Sequence, residues 1–156
     1  MSTRILLAMD DSENALRAAN LVADCFKPDC RVTLFNVAVD TATLCEMDSP
    51  ALTPYFKSQQ SQFCALEEKK RNLVDEAIQK ARQILLERGF AADLLGTKIQ
   101  PKKMGVARDI LTEARSGYDV IVMGRRGLSG VKEFFSGSTS NKVFNYAKDI
   151  TVMIVP

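Results

Sequence analysis

The stretch Arg4-Ile-Leu-Leu-Ala-Met-Asp-Asp-Ser12 begins with a short apolar run and ends in two carboxylates and a hydroxyl. A run of this length between polar residues predicts a buried strand over residues 4–9. The oxygens of Asp10, Asp11 and Ser12 are suited to cap a helix that follows. A strand that leads through a capped turn into a helix is typical of parallel strand–helix–strand units.

The same alternation continues along the chain. Helical spacing extends to about Phe26 and then covers about 58–88, 105–116 and 138–147, while strands are predicted at 31–39, within 91–100, at 118–123 and at 151–155. Residues 40–57 contain two prolines and predict a long irregular loop. The order predicts an α/β fold with a five-stranded, parallel, doubly wound, Rossmann-like sheet and helices on both faces. No repeat or linker divides the sequence, so one domain over residues 1–156 is expected.

The composition excludes several classes of function. The 156 residues carry a formal net charge of +2, which is too balanced to indicate a nucleic-acid or membrane-surface partner. The longest apolar run, residues 5–9, is far shorter than the roughly 20 residues that cross a bilayer, and it is too short for a signal-peptide core. A cytoplasmic protein is therefore expected. The absence of histidine excludes Ser-His-Asp and Cys-His catalysis and histidine metal ligation.

Four cysteines occur, at Cys25, Cys30, Cys45 and Cys64. No C-x-x-C pair is present, which argues against a thioredoxin-type motif and a zinc knuckle. Because nothing marks the chain as secreted, four reduced thiols are expected. A Cys25–Cys30 bridge and an adventitious metal are the alternatives.

The stretch 123–141, Met-Gly-Arg-Arg-Gly-Leu-Ser-Gly-Val-Lys-Glu-Phe-Phe-Ser-Gly-Ser-Thr-Ser-Asn, joins a predicted strand to a predicted helix. Its glycines permit positive φ and close backbone approach to a ligand, and a helix N-terminus near Ser138 suits phosphate. Residues 98–148 hold ten Lys and Arg against four Asp and Glu, whereas residues 1–97 hold eleven against fourteen. This pattern favours an anion site, and the alternative is a solvated basic surface in which the glycines only turn the chain.

Ligands of open parallel sheets bind outside the carboxyl ends of the strands, at the switch point of strand order. Residues 9–11, 37–40 and 123–127 follow three predicted strands, so we expect them to meet at that edge. Neither G-x-x-x-x-G-K-[ST] nor G-x-G-x-x-G occurs in the chain.

The spacing Gly124-x2-Gly127-x9-Gly137-Ser138 resembles the nucleotide-binding signature of the universal stress protein family. The resemblance covers nearly the whole chain, including an opening strand that ends in Asp10. It implies an adenine nucleotide alpha hydrolase-like fold and ATP, AMP or ADP as the ligand. It further implies a stress-response regulatory protein with little or no catalytic turnover.

The resemblance also implies a role for each matching position. Backbone groups at Val37 would hold the adenine, and Asp10 would face the ribose or a phosphate-bound Mg²⁺. The nucleotide-binding set implied in this way consists of Ala8, Met9, Asp10, Val37, Met123, Gly124, Arg126, Gly127, Gly137, Ser138 and Thr139. Asp11 is a second candidate for Mg²⁺, or it contributes a negative charge at a helix N-terminus.

Three readings of the function remain open. The first is a nucleotide-binding regulator, and the second is a weak ATPase or self-phosphorylating enzyme with Ser138 or Thr139 as the acceptor. The third is a dimeric interaction module whose pocket is blocked by Arg125 and Arg126. In each case the apolar last strand, Thr151–Val155, is expected at a sheet edge, where pairing with a second copy would give a homodimer. The alternative is that a helix of the same chain covers this strand.

Overall fold

The structure is a computed structural model, and it describes residues 2–125 and 138–156. The strands are β1 (Arg4–Ala8), β2 (Arg31–Ala38), β3 (Leu95–Pro101), β4 (Val120–Gly124) and β5 (Thr151–Val155). The helices are α1 (Glu13–Cys25), α2 (Ala42–Cys45), α3 (Pro54–Glu87), α4 (Val106–Ala114) and α5 (Ser138–Tyr146), with a short 3-10 turn at Ala92–Leu94.

The five strands form one parallel sheet in the order β3-β2-β1-β4-β5. This confirms the predicted doubly wound sheet, because the order reverses on either side of β1. In the centre of the sheet Leu7 lies between Leu34 of β2 and Val122 of β4. All three side chains are fully buried, which explains why the central strands are continuous apolar runs.

Helices cover both faces of the sheet, as the alternation predicts. On one face Leu7 packs in a cluster with Val22 of α1 and Ile78 of α3. On the other face Leu6 packs in a second cluster with Ile110 of α4 and Val143 of α5. Neighbouring residues of β1 therefore serve opposite layers, because side chains alternate along a strand. None of the described helices has the length and apolar character needed to cross a bilayer.

The segment predicted as an irregular loop, 40–57, contains more helix than expected. The four-residue helix α2 lies within it, and α3 begins at Pro54 rather than near residue 58. The side chain of Thr53 caps α3 by accepting a hydrogen bond from the Phe56 amide at 3.2 Å. Threonine at the N-cap and proline in the first turn form a common helix start, so proline here begins a helix instead of breaking one.

The cysteine expectation is wrong in one respect. Cys45 at the end of α2 and Cys64 in α3 form a disulfide, with their Cα atoms 5.9 Å apart. Cys25 and Cys30 are free, the first exposed and the second buried. The bonded pair lies 19 residues apart along the chain, and only the packing of α2 on α3 brings the two sulfurs together.

Candidate functional site

A cavity of about 290 Å³ lies at the carboxyl ends of β1, β2 and β4, where the strand order reverses. This volume is at the lower end of the roughly 300–1,000 Å³ typical of small-molecule sites. One side, which we call the strand-end wall, consists of residues at or just after the ends of these strands: Ala8, Met9, Asp10, Asp11, Asn36, Val37, Met123 and Gly124. The first turn of α5 adds Ser138, Thr139 and Ser140.

Every site residue predicted from the sequence that falls within the described residues lines this cavity. These are Ala8, Met9, Asp10, Val37, Met123, Gly124, Ser138 and Thr139. The remaining three, Arg126, Gly127 and Gly137, lie outside the described residues. The structure thus brings together positions that are more than 100 residues apart in sequence, and their role toward a ligand stays a prediction.

Asp10 organises the turn that links β1 to α1. Its Oδ1 accepts a hydrogen bond from the Ser12 amide at 2.9 Å and another from the Ser12 hydroxyl. The oxygen of that hydroxyl in turn accepts a hydrogen bond from the Ala15 amide at 3.2 Å, so Ser12 caps α1. One oxygen of Asp10 is committed to this network, and a contact with a ligand or a metal would fall to its other oxygen.

Asp11 offers an acceptor that the fold leaves unused. Its Oδ1 is buried and has no hydrogen-bond partner among the residues that the structure describes, and the residue lines the cavity. A buried acceptor without a donor is costly, so a donor group of a ligand would stabilise it. No group of three or more acidic or cysteine residues able to hold a metal occurs within 2–125 and 138–156. A Mg²⁺ ion here would therefore need phosphate oxygens of a ligand in addition to carboxylates.

A buried asparagine ties the ends of β1 and β2 together. The side chain of Asn36 donates a hydrogen bond from Nδ2 to the Met9 carbonyl at 2.8 Å, and the Met9 amide donates to the Phe35 carbonyl at 2.8 Å. These two bonds extend the pairing of the strands beyond the last residue of β1. They hold the peptide that precedes Asp10 in a fixed position at the cavity.

Gly124 does not adopt the positive φ that the sequence predicts for the glycines after β4, and its role toward a ligand stays a prediction. Among the described glycines, positive φ occurs at Gly89, Gly105 and Gly117, and Gly124 is not one of them. A Cβ atom at Gly124 would lie 2.7 Å from the backbone carbonyl carbon of Asn14 in α1. Glycine is thus required here because the end of β4 packs directly against the first turn of α1.

Backbone and hydroxyl contacts fix the first turn of α5 beside β4. The Ser140 hydroxyl donates to the Arg125 carbonyl at 2.9 Å, and the Arg125 amide donates to the Val155 carbonyl at 2.6 Å. The side chain of Arg125 is exposed, and the residue is not part of the cavity lining. Arg125 therefore does not block the cavity, while Arg126 falls in the part of the chain that is not described.

A second side of the cavity, formed by α3, was not predicted from the sequence. We call it the α3 wall, and it consists of Glu67, Lys70, Arg71, Val74 and Asp75. Its charged residues look like an ordinary solvated helix surface in the sequence. Helical spacing indicates that positions 67, 71 and 74 continue the stripe that contains the buried residue Ile78, but it does not tell that this stripe passes a cavity.

A third side of the cavity includes Val106 and Ile110 of α4, and a buried carboxylate fixes the start of this helix. Asp109 accepts hydrogen bonds from the amides of Lys103 at 2.8 Å and Met104 at 3.1 Å. Burial by itself raises the pKa of Asp109, but the backbone hydrogen bonds outweigh it and the net pKa lies below the usual value of 3.8. Asp109 is therefore ionised at neutral pH and anchors the β3–α4 connection.

The sheet order and the cavity at its switch point define a doubly wound α/β protein of the kind that binds small ligands at the strand ends. A family model described as the universal stress protein family matches residues 1–156. The chain therefore belongs to the universal stress protein family.

Solved structures agree with this fold. The universal stress protein UspA from Lactobacillus plantarum has a TM-score of 0.68 at 22% identity, with 99% of this chain and 97% of that chain covered. A universal stress protein from Archaeoglobus fulgidus has a TM-score of 0.68 at 16% identity, covering 100% and 99%. A universal stress protein solved in complex with cAMP has a TM-score of 0.60 at 15% identity, covering 99% and 96%. No protein of the curated sequence collection matches the chain.

Proposed function

We propose that this protein binds an adenine nucleotide, with ATP as the first candidate, in the cavity at the strand ends. In this proposal it is a stress-response regulatory protein with little or no catalytic turnover. The observation that carries the proposal is the cavity itself, which is lined by all eight of the described residues that the family resemblance assigns to the nucleotide. The universal stress protein solved with cAMP supports a nucleotide as the class of ligand.

The side chains around the cavity suit the parts of such a ligand. Val37 and Met123 offer apolar surface to a base, and the carboxylates of Asp10 and Asp11 offer acceptors to ribose hydroxyls. The amides of the first turn of α5, with the hydroxyls of Ser138 and Thr139, are donors for phosphate. In the same proposal a Mg²⁺ ion would be held by Asp10 together with phosphate oxygens.

Hydrolysis requires a group that orients the attacking water. The sequence contains no histidine, and the carboxylates at the cavity are Asp10, Asp11, Glu67 and Asp75. We therefore expect ATP to be hydrolysed slowly or not at all. Phosphate release that exceeds the release from an Asp10→Asn, Asp11→Asn double variant would instead favour the weak ATPase.

Calorimetric titration with ATP, ADP, AMP, cAMP, adenosine and GTP tests the proposed ligand. We expect saturable binding of at least one adenine nucleotide in the micromolar range and weaker binding of GTP. An Asp11→Ala variant should bind more weakly because it removes the buried acceptor, whereas Asp149→Ala, at an exposed position away from the cavity, should bind like the unmodified protein. Absence of binding for every nucleotide at millimolar concentration would overturn the proposal.

The proposal includes a homodimer formed through β5. This strand is at the edge of the sheet, pairs with β4 alone, and carries half-buried apolar residues at Val152, Met153 and Ile154. An exposed strand edge with such side chains favours pairing with another strand. Sedimentation at micromolar concentration should give twice the chain mass, and a monomer would contradict this part of the proposal.

The cytoplasmic location expected from the sequence stays a prediction. Fractionation of cells that produce the protein at its natural level would test it.

A further inference from the structure

The α3 wall brings two cations to the cavity that no motif of the chain assigns to a ligand. We propose that Lys70 and Arg71 contact the phosphates of the bound nucleotide and select for ligands with negative charge. This inference rests on the proposed nucleotide binding, and it names the residues that make the site selective for a negatively charged ligand.

The length of α3 explains how these residues reach the cavity. Its 34 residues extend over about 51 Å, whereas the eight residues of β2 extend over about 26 Å. The buried residues of α3 all lie between Val74 and Leu85, so this half packs on the sheet. The part before Val74 projects beyond the strand ends, and Lys70 and Arg71 lie in the last turn of this projecting part, next to Val74.

Neither cation is neutralised by the protein within the described residues. The ion pairs found there join Lys57 to Asp48, Arg88 to Asp24 and Lys98 to Glu113, and none of them involves the α3 wall. Arg71 has carboxylates four residues away on either side, at Glu67 and Asp75, and yet it pairs with neither. The side chains of Lys70 and Arg71 also make no hydrogen bond with a described residue, so all their side-chain donors are available to a ligand.

The chemistry of the two side chains specifies the ligand group. A guanidinium presents a planar fork of donors that matches two phosphate oxygens at once, and an ammonium acts as a point charge. The carboxylates of Asp10 and Asp11 lie on the strand-end wall of the same cavity. A nucleotide suits both walls, because its ribose supplies hydroxyl donors to the carboxylates. Its phosphates would be shared between the cations of the α3 wall and the donors at the first turn of α5.

Comparing the binding of ATP and of adenosine in the unmodified protein and in four variants of α3 tests this assignment. We expect Arg71→Gln to weaken ATP binding about tenfold or more and to leave adenosine binding unchanged, because only ATP carries the charge. Lys70→Gln should act in the same direction. Lys69→Gln is the matched control, since it removes an identical charge from the neighbouring exposed position that does not line the cavity.

The outcomes separate the two proposals. Suppose that the unmodified protein binds ATP and that Arg71→Gln weakens ATP binding no more than Lys69→Gln does. The proposed contact between α3 and the phosphates is then wrong, while the proposed nucleotide binding stands. If the unmodified protein binds neither ligand, the proposed function itself fails. Arg71→Lys should recover part of the ATP affinity, and a variant that regains none would also contradict a charge contact.

A second inference comes from an independent observation, the position of the disulfide. Cys45 ends α2, which follows the end of β2 at the strand-end wall, and Cys64 precedes Glu67 of the α3 wall by one helical turn. The side chain of Gln60 strengthens the same connection by donating hydrogen bonds to the carbonyls of Leu44 and Met47. We infer that the Cys45–Cys64 bond holds the projecting half of α3 beside the cavity and that its reduction weakens ligand binding.

The step is a thiol–disulfide exchange with a dithiol reductant. Two electrons and two protons pass from the dithiol to the two sulfurs, the Cys45–Cys64 bond breaks, and the reductant leaves as a disulfide. Cys45 is exposed, so the bond is accessible to such a reductant. The redox state of the pair then determines how firmly α3 is held, since no other disulfide cross-links the described residues.

Measuring the ATP affinity of the oxidised protein, the reduced protein and two serine variants tests this inference. If reduction leaves the α3 wall in place in about a tenth of the molecules, the apparent affinity falls about tenfold. Cys45→Ser should behave like the reduced protein under both conditions, whereas Cys25→Ser should respond to reduction as the unmodified protein does. Equal affinities of the oxidised and reduced proteins, or four reactive thiols in protein prepared without reductant, would overturn the inference.

Discussion

The strand-end wall and the α3 wall enclose the same cavity but are held in place in different ways. The strand-end wall is fixed by the core. Met9 is hydrogen-bonded to Phe35 and Asn36, and Gly124 packs on the backbone of Asn14. The α3 wall is mostly exposed, and Val74 alone among its five residues is buried. Substitutions that break the core contacts of the strand-end wall should therefore lower the stability of the fold. Substitutions in the α3 wall should instead change the affinity for the ligand.

The largest effect is expected at Gly124. The Gly124→Ala variant places a methyl group 2.7 Å from backbone atoms of α1, which is overpacking that should lower the free energy of unfolding by about 3 kcal/mol. Denaturant unfolding measures this loss. Gly96→Ala in β3 is the matched control, because its Cβ would lie 3.7 Å from Thr33 in ordinary contact and its effect should be small. Equal stabilities of the two variants would contradict the close packing of β4 on α1 as the reason for glycine at position 124.

A smaller loss is expected at Asp109. Replacement by asparagine removes a charged acceptor from two backbone amides and should lower the free energy of unfolding by about 2 kcal/mol. Because the folded pKa is depressed, the carboxylate contributes its stability above the unfolded pKa of about 3.8 and loses it as the pH falls through the folded pKa.

The stability difference between the unmodified protein and Asp109→Asn should therefore shrink below about pH 3.8. Thermal unfolding across the acid range measures this difference. A difference that stays constant with pH would contradict ionisation of Asp109 as its source, and Asp149→Asn, which removes an exposed carboxylate, controls for the change in net charge.

A loss of about 1 kcal/mol is expected for Asn36→Ala, because the Met9 carbonyl loses its side-chain donor. The same variant should weaken nucleotide binding, since it releases the peptide before Asp10. Unfolding and titration of one preparation separate the two effects. Unchanged affinity together with lowered stability would restrict Asn36 to a structural role.

The smallest effect on stability is expected in the α3 wall. Arg71→Gln removes an exposed side chain without a described partner, so the free energy of unfolding should stay within about 0.5 kcal/mol of the unmodified value. Denaturant unfolding beside the ATP titration measures both quantities. A large loss of stability would mean that the two walls are not distinct in the way described above.

The sequence sufficed for the sheet because each central strand is a continuous apolar run, and for most of the strand-end wall because parallel strands end at one edge. It did not predict the α3 wall, since nothing in an exposed charged helix tells where the helix passes a cavity. The early start of α3 had a local signal in Thr53 and Pro54, which the other proline of the segment obscured. The Cys45–Cys64 pairing had no local signal, because it depends on how α2 and α3 pack.

The two outer strands of the sheet imply a limit on assembly size. At the β3 margin Pro101 lacks an amide hydrogen, and Lys98, paired with Glu113, adds charge to a strand whose residues are largely exposed. The β5 margin has neither proline nor charge. Strand addition is thus favoured at the β5 edge and opposed at the β3 edge. Two molecules joined through β5 would therefore leave only their β3 edges exposed. Such a pair would be closed, and a continuous fibre of stacked sheets would be disfavoured.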